Sequence, residues 1–172
     1  MNVVLLVFVF LKKIETEGLL IIAGKSKFNV TKDREKRTFD GITYDSITEM
    51  KFYRDWILPK MESGDITACY RQVRYELQKK FIHDNKTVLP IIYVSDFTVT
   101  YKNGHQIVYD VKGMPDSIAL LKRKLFWYKY PDIDYRWMSY SKIDSPDGDG
   151  WVSYELVKQG RKERKKAKAI KN

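Results

Sequence analysis

The 172-residue sequence has little of what several common classes of site require. It contains one cysteine, Cys69, and two histidines, so neither an intrachain disulfide nor a Cys/His zinc site can be assembled. The single cysteine fits a reducing compartment, and we expect a cytoplasmic protein. The sequence shows neither a glycine-rich phosphate loop nor an internal repeat. We therefore do not expect nucleotide-driven chemistry or a repeat architecture.

The sequence also lacks an apolar run long enough to cross a membrane. Residues 1–11 are almost wholly apolar, but a spanning helix needs roughly 20 such residues. The run has no basic leader and no small-residue cleavage site, so it does not resemble a signal peptide. We expect residues 1–24 to be an apolar N-terminal extension. It is an extra strand, a partner-binding segment or the product of a misassigned start codon.

Positive charge is in clear excess. The formal net charge is +10 and the sequence pI is about 9.5. Such a balance favours a polyanionic partner such as nucleic acid, with an anionic membrane surface as the lesser alternative. Eight Lys or Arg and one Glu fall within residues 158–172. We expect this basic tail to be a solvated or disordered arm that adds nonspecific contacts to DNA phosphates.

The most informative stretch is residues 91–112. Two runs rich in Val, Ile, Thr, Tyr and Phe flank the sequence Lys-Asn-Gly at 102–104, which predicts an antiparallel hairpin. The apolar positions of both runs are odd-numbered, so both apolar faces are buried together only if odd residues pair with odd residues. A three-residue loop with Gly104 in the left-handed conformation gives that register. It places Asp96 opposite Asp110.

The predicted register gathers three charged side chains on one polar patch. Lys112 lies two residues beyond Asp110 and so projects from the same face of the strand. Two carboxylates and an ammonium at the end of a buried hairpin suit a hard divalent cation such as Mg2+ or Mn2+. The chemistry that follows is phosphodiester hydrolysis. The alternative is an ordinary cross-strand charge cluster on a solvated sheet face.

Four ordered sequence blocks resemble one family within the PD-(D/E)XK nuclease superfamily, a family of small phage-encoded proteins of unnamed function. The blocks are Gly-Ile-Thr-Tyr-Asp-Ser at 41–46, Tyr-Val-Ser-Asp-Phe at 93–97, Asp-Val-Lys-Gly at 110–113 and Lys-Leu-Phe-Trp-Tyr-Lys-Tyr-Pro at 124–131. Asp96 and the Asp-Val-Lys block correspond to the D…(D/E)xK pattern of the superfamily. The family often has Glu immediately before that block, where this chain has Tyr109. We expect little consequence, because position 109 points into the apolar face.

The resemblance implies a restriction-endonuclease-like αβββαβ core with a mixed central sheet. We place this α/β core at residues 25–140 and a C-terminal extension of it at 141–157. Superfamily members carry an acidic residue on the first helix facing the metal, and the matching position here is Glu49. Glu49 also completes a capping box with Ser46, so a purely structural role is the alternative. Some members keep a polar residue near the active site on the next strand, which makes Gln72 a further candidate.

The second predicted helix is basic. Pro115, Asp116 and Ser117 supply helix-start signals, and the helix should end before Pro131. We expect an apolar side formed by Ile118, Leu121, Leu125, Phe126 and Tyr128. The other side then presents cations that could hold the phosphates flanking a scissile bond, or that are simply solvated. These DNA-binding candidates are Lys122, Arg123, Lys124 and Lys129.

Together these features predict a metal-dependent DNA endonuclease. Glu49, Asp96, Asp110 and the Val111 carbonyl would hold one or two Mg2+ ions, and Lys112 would orient the attacking water. By analogy with resolvases of the superfamily, we expect a structure-selective enzyme that cuts branched DNA, such as a Holliday junction, in phage replication or recombination. The same analogy implies a homodimer in the host cytoplasm. The alternatives are a noncatalytic DNA-binding accessory protein on the same fold, an RNA-directed nuclease, and a protein that acts on a host factor.

Overall fold

A computed structural model describes residues 33–171 of the chain. The apolar extension predicted at 1–24 and residues 25–32 of the predicted core lie outside this range. None of the helices within residues 33–171 combines the length and apolarity that crossing a membrane requires.

The described chain contains four α-helices and eleven strands. The helices are α1 (Ile47–Phe52), α2 (Leu58–Glu62), α3 (Ser117–Lys129) and α4 (Tyr154–Lys171), and a π-helical segment (Tyr53–Ile57) joins α1 to α2. The strands are β1 (Thr38–Phe39), β2 (Ile42–Thr43), β3 (Ile66–Arg71), β4 (Arg74–Gln78), β5 (Phe81–His83), β6 (Lys86–Val88), β7 (Ile91–Val94), β8 (Phe97–Tyr101), β9 (Gln106–Val111), β10 (Asp134–Tyr140) and β11 (Trp151–Ser153).

Five strands form a mixed central sheet in the order β11-β10-β9-β8-β3. β9 and β10 are parallel and are linked through α3, whereas the other neighbours are antiparallel. The predicted α/β class with a mixed central sheet is therefore confirmed. Successive residues of β8 and β9 point to opposite sides of the sheet, and apolar clusters cover both faces. Phe97, Val99 and Ile107 join one apolar cluster, whereas Val108 joins a second.

The central hairpin has the predicted register. Phe97 pairs with Tyr109 and Val99 with Ile107, so odd residues face odd residues. The loop is residues 102–104, closed by a 2.9 Å bond from the Tyr101 N–H to the His105 carbonyl. Gly104 has φ +81°, the left-handed conformation that the loop requires. The conformation of the turn and the alternation of apolar residues therefore determine the register of this hairpin without distant elements.

The loose alternation of residues 66–78 predicts a single strand, but the structure has two strands that belong to different sheets. β3 pairs with β8 in the central sheet, whereas β4 pairs with β7 in a separate two-stranded ribbon. The chain leaves the central sheet at Gln72, whose φ of +53° breaks the strand. The sequence of residues 81–89 predicts a connecting turn, but these residues contain the separate β5–β6 hairpin between β4 and β7. His83, which has no partner spacing typical of a ligand or base, is predicted to lie on the surface, and it is exposed.

Helix α3 begins at the predicted cap but presents a different face to the core. Asp116 accepts a 2.8 Å hydrogen bond from the Ala119 N–H. Phe126 is fully buried, but three members of the expected apolar side are exposed, namely Ile118, Leu121 and Tyr128. The predicted buried face was wrong for these three residues, whereas Phe126 and the partly buried Leu125 do pack in the core. Arg123, predicted to present its charge to DNA or solvent, instead lies between the rings of Trp127 and Trp137 at 4.3 and 4.2 Å.

The C-terminal segment is helical. α4 includes most of the stretch expected to be a solvated or disordered arm, and it packs against the sheet through the buried Val157. Asp144, in the loop after β10, forms a bidentate ion pair with Arg164 at 2.6 and 3.1 Å. The first three turns of the helix are therefore fixed to the core, while its remaining side chains are largely exposed.

Candidate active site at the end of the central hairpin

The hairpin register brings the two predicted carboxylates and the lysine together. Asp96 precedes β8, Asp110 lies near the end of β9, and Lys112 follows that strand. Asp96 Oδ2 accepts a 2.6 Å hydrogen bond from the Val111 N–H, which links its carboxylate to the opposite strand. Lys112 Nζ lies 2.8 Å from Asp110 Oδ1. The polar patch that the register predicted is thus present at one end of the sheet.

This patch is buried, which the sequence pattern did not predict. Asp110 is only 2% exposed, because α3 and the β4–β7 ribbon cover the sheet face from which it projects. A carboxylate on a solvated sheet face would be well hydrated, whereas a buried one must be paired or bound. The alternative of an ordinary solvated charge cluster therefore does not describe Asp110.

Helix α1 carries Glu49 toward the same patch. Ser46 caps the helix by accepting a 3.1 Å hydrogen bond from the Glu49 N–H, and the Ser46 hydroxyl donates to Glu49 Oε1 at 3.0 Å. The pKa of Glu49 is raised to about 6, chiefly by burial, with Asp45 and Asp110 also raising it and Ser46 and Lys112 lowering it. The carboxylate therefore takes part in the cap and also lies within electrostatic range of Asp110 and Lys112.

The three carboxylates repel one another. Burial raises the pKa of Asp96 well above its usual range, and both Asp110 and Glu49 raise it further. Burial disfavours the charged form of Lys112, but Asp110, Asp96 and Glu49 outweigh this effect and raise its pKa overall. One ammonium thus stands against three acidic groups drawn from a helix and two strands. Such a site gains stability from a further positive charge.

Two aromatic residues that the sequence analysis missed hold Asp110 in place. The Tyr135 hydroxyl donates to Asp110 Oδ2 at 3.1 Å, and the Trp137 indole N–H donates to the Tyr135 oxygen at 2.5 Å. Both lie on β10, which pairs with β9 so that Trp137 is opposite Asp110. The alternation of Ile, Tyr and Trp with Asp and Arg at 133–138 predicts a strand but no role for these two residues. Two polar-tipped aromatics spaced two apart on a buried strand were the available signal.

Gln72 lies at the edge of the site. Its backbone N–H donates to the Asp96 carbonyl at 3.4 Å, while its side-chain amide donates to Asp45 Oδ2 at 2.9 Å. The residue is exposed and marks the point where the chain turns from the central sheet into the ribbon. Its contact with Asp45, in the Gly-Ile-Thr-Tyr-Asp-Ser block, joins two of the sequence motifs. Gln72 therefore lies next to Asp96, but the contact is made by its backbone N–H and not by its side chain.

The cations of α3 are mostly engaged within the protein. Lys122 Nζ donates to the Ile92 carbonyl at 2.8 Å, and Lys129 Nζ lies 3.6 Å from Glu76. Arg123 contacts Glu155 as well as the two tryptophan rings. Lys124 is exposed. The predicted phosphate contacts of these four residues stay predictions, and the structure gives three of them a second role in fixing the ribbon and α4.

The donor set suits a hard divalent cation. Among the residues that the structure describes, no three acidic, histidine or cysteine side chains already lie as close as bound-metal ligands. Within the same residues, Asp110 Oδ1 is buried and accepts no well-aligned hydrogen bond, although the ammonium of Lys112 lies beside it. A buried carboxylate oxygen of this kind, beside two further carboxylates, offers the oxygen ligands that Mg2+ prefers. The residues present therefore fit such an ion.

A family model described as "Protein of unknown function (DUF1064)" matches residues 25–144. This range includes Glu49, Asp96, Asp110, Lys112 and Tyr135. No curated protein matches the chain significantly.

Proposed function

The chain belongs to the DUF1064 family, and we propose that it is a metal-dependent endonuclease of the PD-(D/E)XK type that hydrolyses DNA phosphodiester bonds. One observation carries the proposal: Asp96, Asp110 and Lys112 lie together at one buried end of the central sheet, with Glu49 of α1 in electrostatic range of Asp110 and Lys112. Burying so much unbalanced charge is costly unless a ligand uses it.

The element order supports the same proposal. The helical segment from α1 to α2 is followed by β3, β8 and β9, then by α3 and the parallel strand β10. This is the order expected for an αβββαβ nuclease core, with the β4–β7 ribbon inserted after the first strand and β11 and α4 appended. The acidic residues fall where such a core would carry them. Glu49 is on the first helix, Asp96 immediately precedes β8, and Asp110 is on the adjacent strand β9.

Each polar group has a proposed task. Asp96, Asp110 and Glu49, with the Val111 carbonyl, would hold Mg2+ or Mn2+, which when bound acts as a Lewis acid toward the phosphate and a water. Lys112 places its ammonium beside Asp110, where it can orient the attacking water and offset negative charge on the phosphate. Tyr135 fixes the orientation of Asp110. The Val111 N–H fixes Asp96.

The proposed reaction is hydrolysis. The water oxygen forms a bond to phosphorus while the bond from phosphorus to the leaving sugar oxygen breaks. One proton of the water is released, and the leaving oxygen takes up a proton to become a hydroxyl group. By analogy with small resolvases, we propose branched DNA as the preferred substrate and a homodimer as the acting form.

Cleavage of labelled four-way junction, flap, single-stranded and linear duplex DNA, with Mg2+, Mn2+ or EDTA, tests the proposal. Asp110→Asn and Lys112→Ala should abolish metal-dependent cutting and leave DNA binding largely intact. The matched controls are Asp65→Asn and Lys102→Ala, which break a 2.6 Å surface ion pair of the same residue types. Both controls should cut at the wild-type rate.

The outcomes separate the competing functions. Cutting confined to the junction indicates a structure-selective endonuclease, and equal cutting of every DNA indicates a less selective one. DNA binding without cleavage in either metal would replace the proposal with the noncatalytic accessory protein. Equal cutting in wild type and Asp110→Asn would show that the activity arises elsewhere. The same cleavage assay with RNA substrates tests the alternative of an RNA-directed nuclease.

A further inference from the structure

A β-ribbon projects from the candidate site. Its root is the pair β4–β7, in which Arg74 is opposite Val94. Val94 lies one residue before Ser95 and two before Asp96. The Ser95 N–H donates to the Val73 carbonyl at 2.9 Å, and the Gln72 N–H donates to the Asp96 carbonyl. The ribbon therefore starts directly beside a proposed metal ligand, and its position relative to the site is fixed.

The root of the ribbon is packed on the core. Leu77 and Tyr93 are buried in the cluster beneath α3, and the Tyr130 hydroxyl donates to the Glu76 carbonyl at 3.0 Å. Lys122 and Lys129 of α3 also hold the root, through Ile92 and Glu76. The root is thus a stable base for whatever the distal part of the ribbon carries.

The distal part, residues 79–89, is called the outer ribbon. Residues 79–87 are all exposed, and β5 and β6 pair only with each other. Asp84 and Asn85 both have positive φ, the conformation of a tight two-residue hairpin turn. A two-stranded hairpin exposed on both faces is marginally stable alone, so a well-formed one that buries little indicates a binding element.

The chemistry of the outer ribbon suits a polyanion. It carries Lys79, Lys80 and Lys86 with a single acidic residue, Asp84. Between these cations Phe81 is 47% exposed and Ile82 is 72% exposed. Cations interleaved with apolar side chains on a two-stranded ribbon fit the groove of a nucleic-acid duplex, which admits an element of this width. A purely acidic or purely apolar partner would leave one of these sets unmatched.

The length of the ribbon allows a contact up to one duplex turn away. Ten residues separate Ser95 from Asn85 at the turn. At about 3.3 Å per residue, these residues span at most roughly 33 Å when fully extended, close to one turn of B-DNA. The upper limit of the reach is therefore about ten base pairs from a phosphate held at the site.

Resting on the proposed nuclease function, we infer that the outer ribbon is a DNA-contacting arm that grips the duplex within about one helical turn of the scissile phosphate. The three lysines neutralise phosphates, and Phe81 and Ile82 make apolar contacts in the groove. This contact lies apart from the carboxylate site and does not require metal.

Binding in EDTA, where cleavage is off, tests the arm on the full-length chain. The variant Lys79→Ala/Lys80→Ala/Lys86→Ala is compared with Lys51→Ala/Lys102→Ala/Lys142→Ala, which removes the same charge from exposed lysines elsewhere. Affinity for a fluorescent duplex is measured across a salt series. Each lost phosphate contact lowers the slope of log affinity against log salt by about 0.9. We expect a decrease of about 2 to 3 and at least ~10-fold weaker binding for the ribbon variant, but not for the control.

The length of the DNA duplex gives a second readout. Trimming the duplex beyond the cutting site from about 15 to about 6 base pairs should weaken wild-type binding and leave the ribbon variant nearly unchanged, given one turn per ~10 base pairs. Phe81→Ser/Ile82→Ser should weaken binding without changing the salt slope. Circular dichroism confirms that the variants are folded.

The results distinguish the two proposals. If wild type cuts and binds DNA but the ribbon variant matches the control in affinity, salt slope and dependence on duplex length, the DNA arm is overturned and a protein partner becomes the explanation for the hairpin. If wild type neither binds nor cuts DNA, the proposed function itself fails and the arm fails with it.

Discussion

The hydroxyl of Tyr135 donates a 3.1 Å hydrogen bond to Asp110 Oδ2, and both side chains are buried. The Tyr135 oxygen in turn accepts from the Trp137 indole N–H, so the hydroxyl proton is directed at the carboxylate. Groups that orient a metal-binding carboxylate from behind commonly influence metal affinity strongly. Tyr135 is therefore a positioning residue for the proposed site.

We predict that Tyr135→Phe lowers the affinity for Mn2+ by about 10-fold or more, since loss of such a partner typically costs 10–100-fold. Titration calorimetry or Mn2+ paramagnetic resonance measures this without relying on cleavage. The matched control is Tyr101→Phe, which removes a 3.0 Å hydroxyl contact with Tyr109. Equal Mn2+ affinity in wild type and Tyr135→Phe would show that the hydrogen bond serves only packing.

Glu49 should make stability depend on pH in a defined direction. Burial raises its pKa from 4.5 in the unfolded chain to about 6 in the fold. The folded state then binds the proton more tightly, so the free energy of unfolding decreases as pH rises from about 4.5 through about 6. At ~1.36 kcal/mol per pKa unit, the decrease is on the order of 2 kcal/mol.

Glu49→Gln should flatten that part of the curve, measured by urea unfolding in EDTA between pH 4 and 7. Glu62→Gln makes the same charge change at an exposed position near the end of α2 and should keep the wild-type curve. An unchanged pH dependence in Glu49→Gln would mean that the glutamate is hydrated and acts only as part of the helix cap.

Phe52 should be essential for holding α1, and with it Glu49, against the sheet. Its ring is fully buried, stacks on Trp56 at 4.9 Å and contacts Trp151 edge-on at 4.9 Å. Phe52→Ala should reduce the free energy of unfolding by about 3 to 5 kcal/mol through lost burial and a residual cavity. Phe81→Ala, the same substitution in the exposed outer ribbon, should change stability by less than about 0.5 kcal/mol. Comparable losses for both would contradict the burial of Phe52.

Gly160 should behave unlike an ordinary helix glycine. A Cβ at this position would clash with Asp144 Oδ1, which is held by Arg164. Alanine normally stabilises a helix interior by about 1 kcal/mol relative to glycine. Here Gly160→Ala should instead disrupt the ion pair and lower the melting temperature. In an Asp144→Ala background the same substitution should become stabilising. Stabilisation in both backgrounds would exclude the close approach.

Features that depend only on neighbouring residues could be predicted from the sequence alone. Gly104 and the odd-numbered apolar residues fixed the hairpin register, and with it the meeting of Asp96 and Lys112 near Asp110. Ser46 and Asp116 identified the starts of two helices, since their side chains cap N–H groups three residues away. These signals are local, so a pattern of a few residues contains them in full.

Strand pairing and the choice of buried faces depend on residues that are distant in the sequence, so only the fold shows them. The strand expected at 66–78 divides at Gln72 because its second half finds β7 rather than β8. The side of α3 that carries Arg123 faces the core because Arg123 stacks on the ring of Trp137 in β10. Ile118 is therefore exposed to solvent. Asp110 becomes buried and bonded to Tyr135 only when β10 docks beside β9. A residue pattern gives the faces of an element, but the free energy of packing against distant elements decides which face is covered.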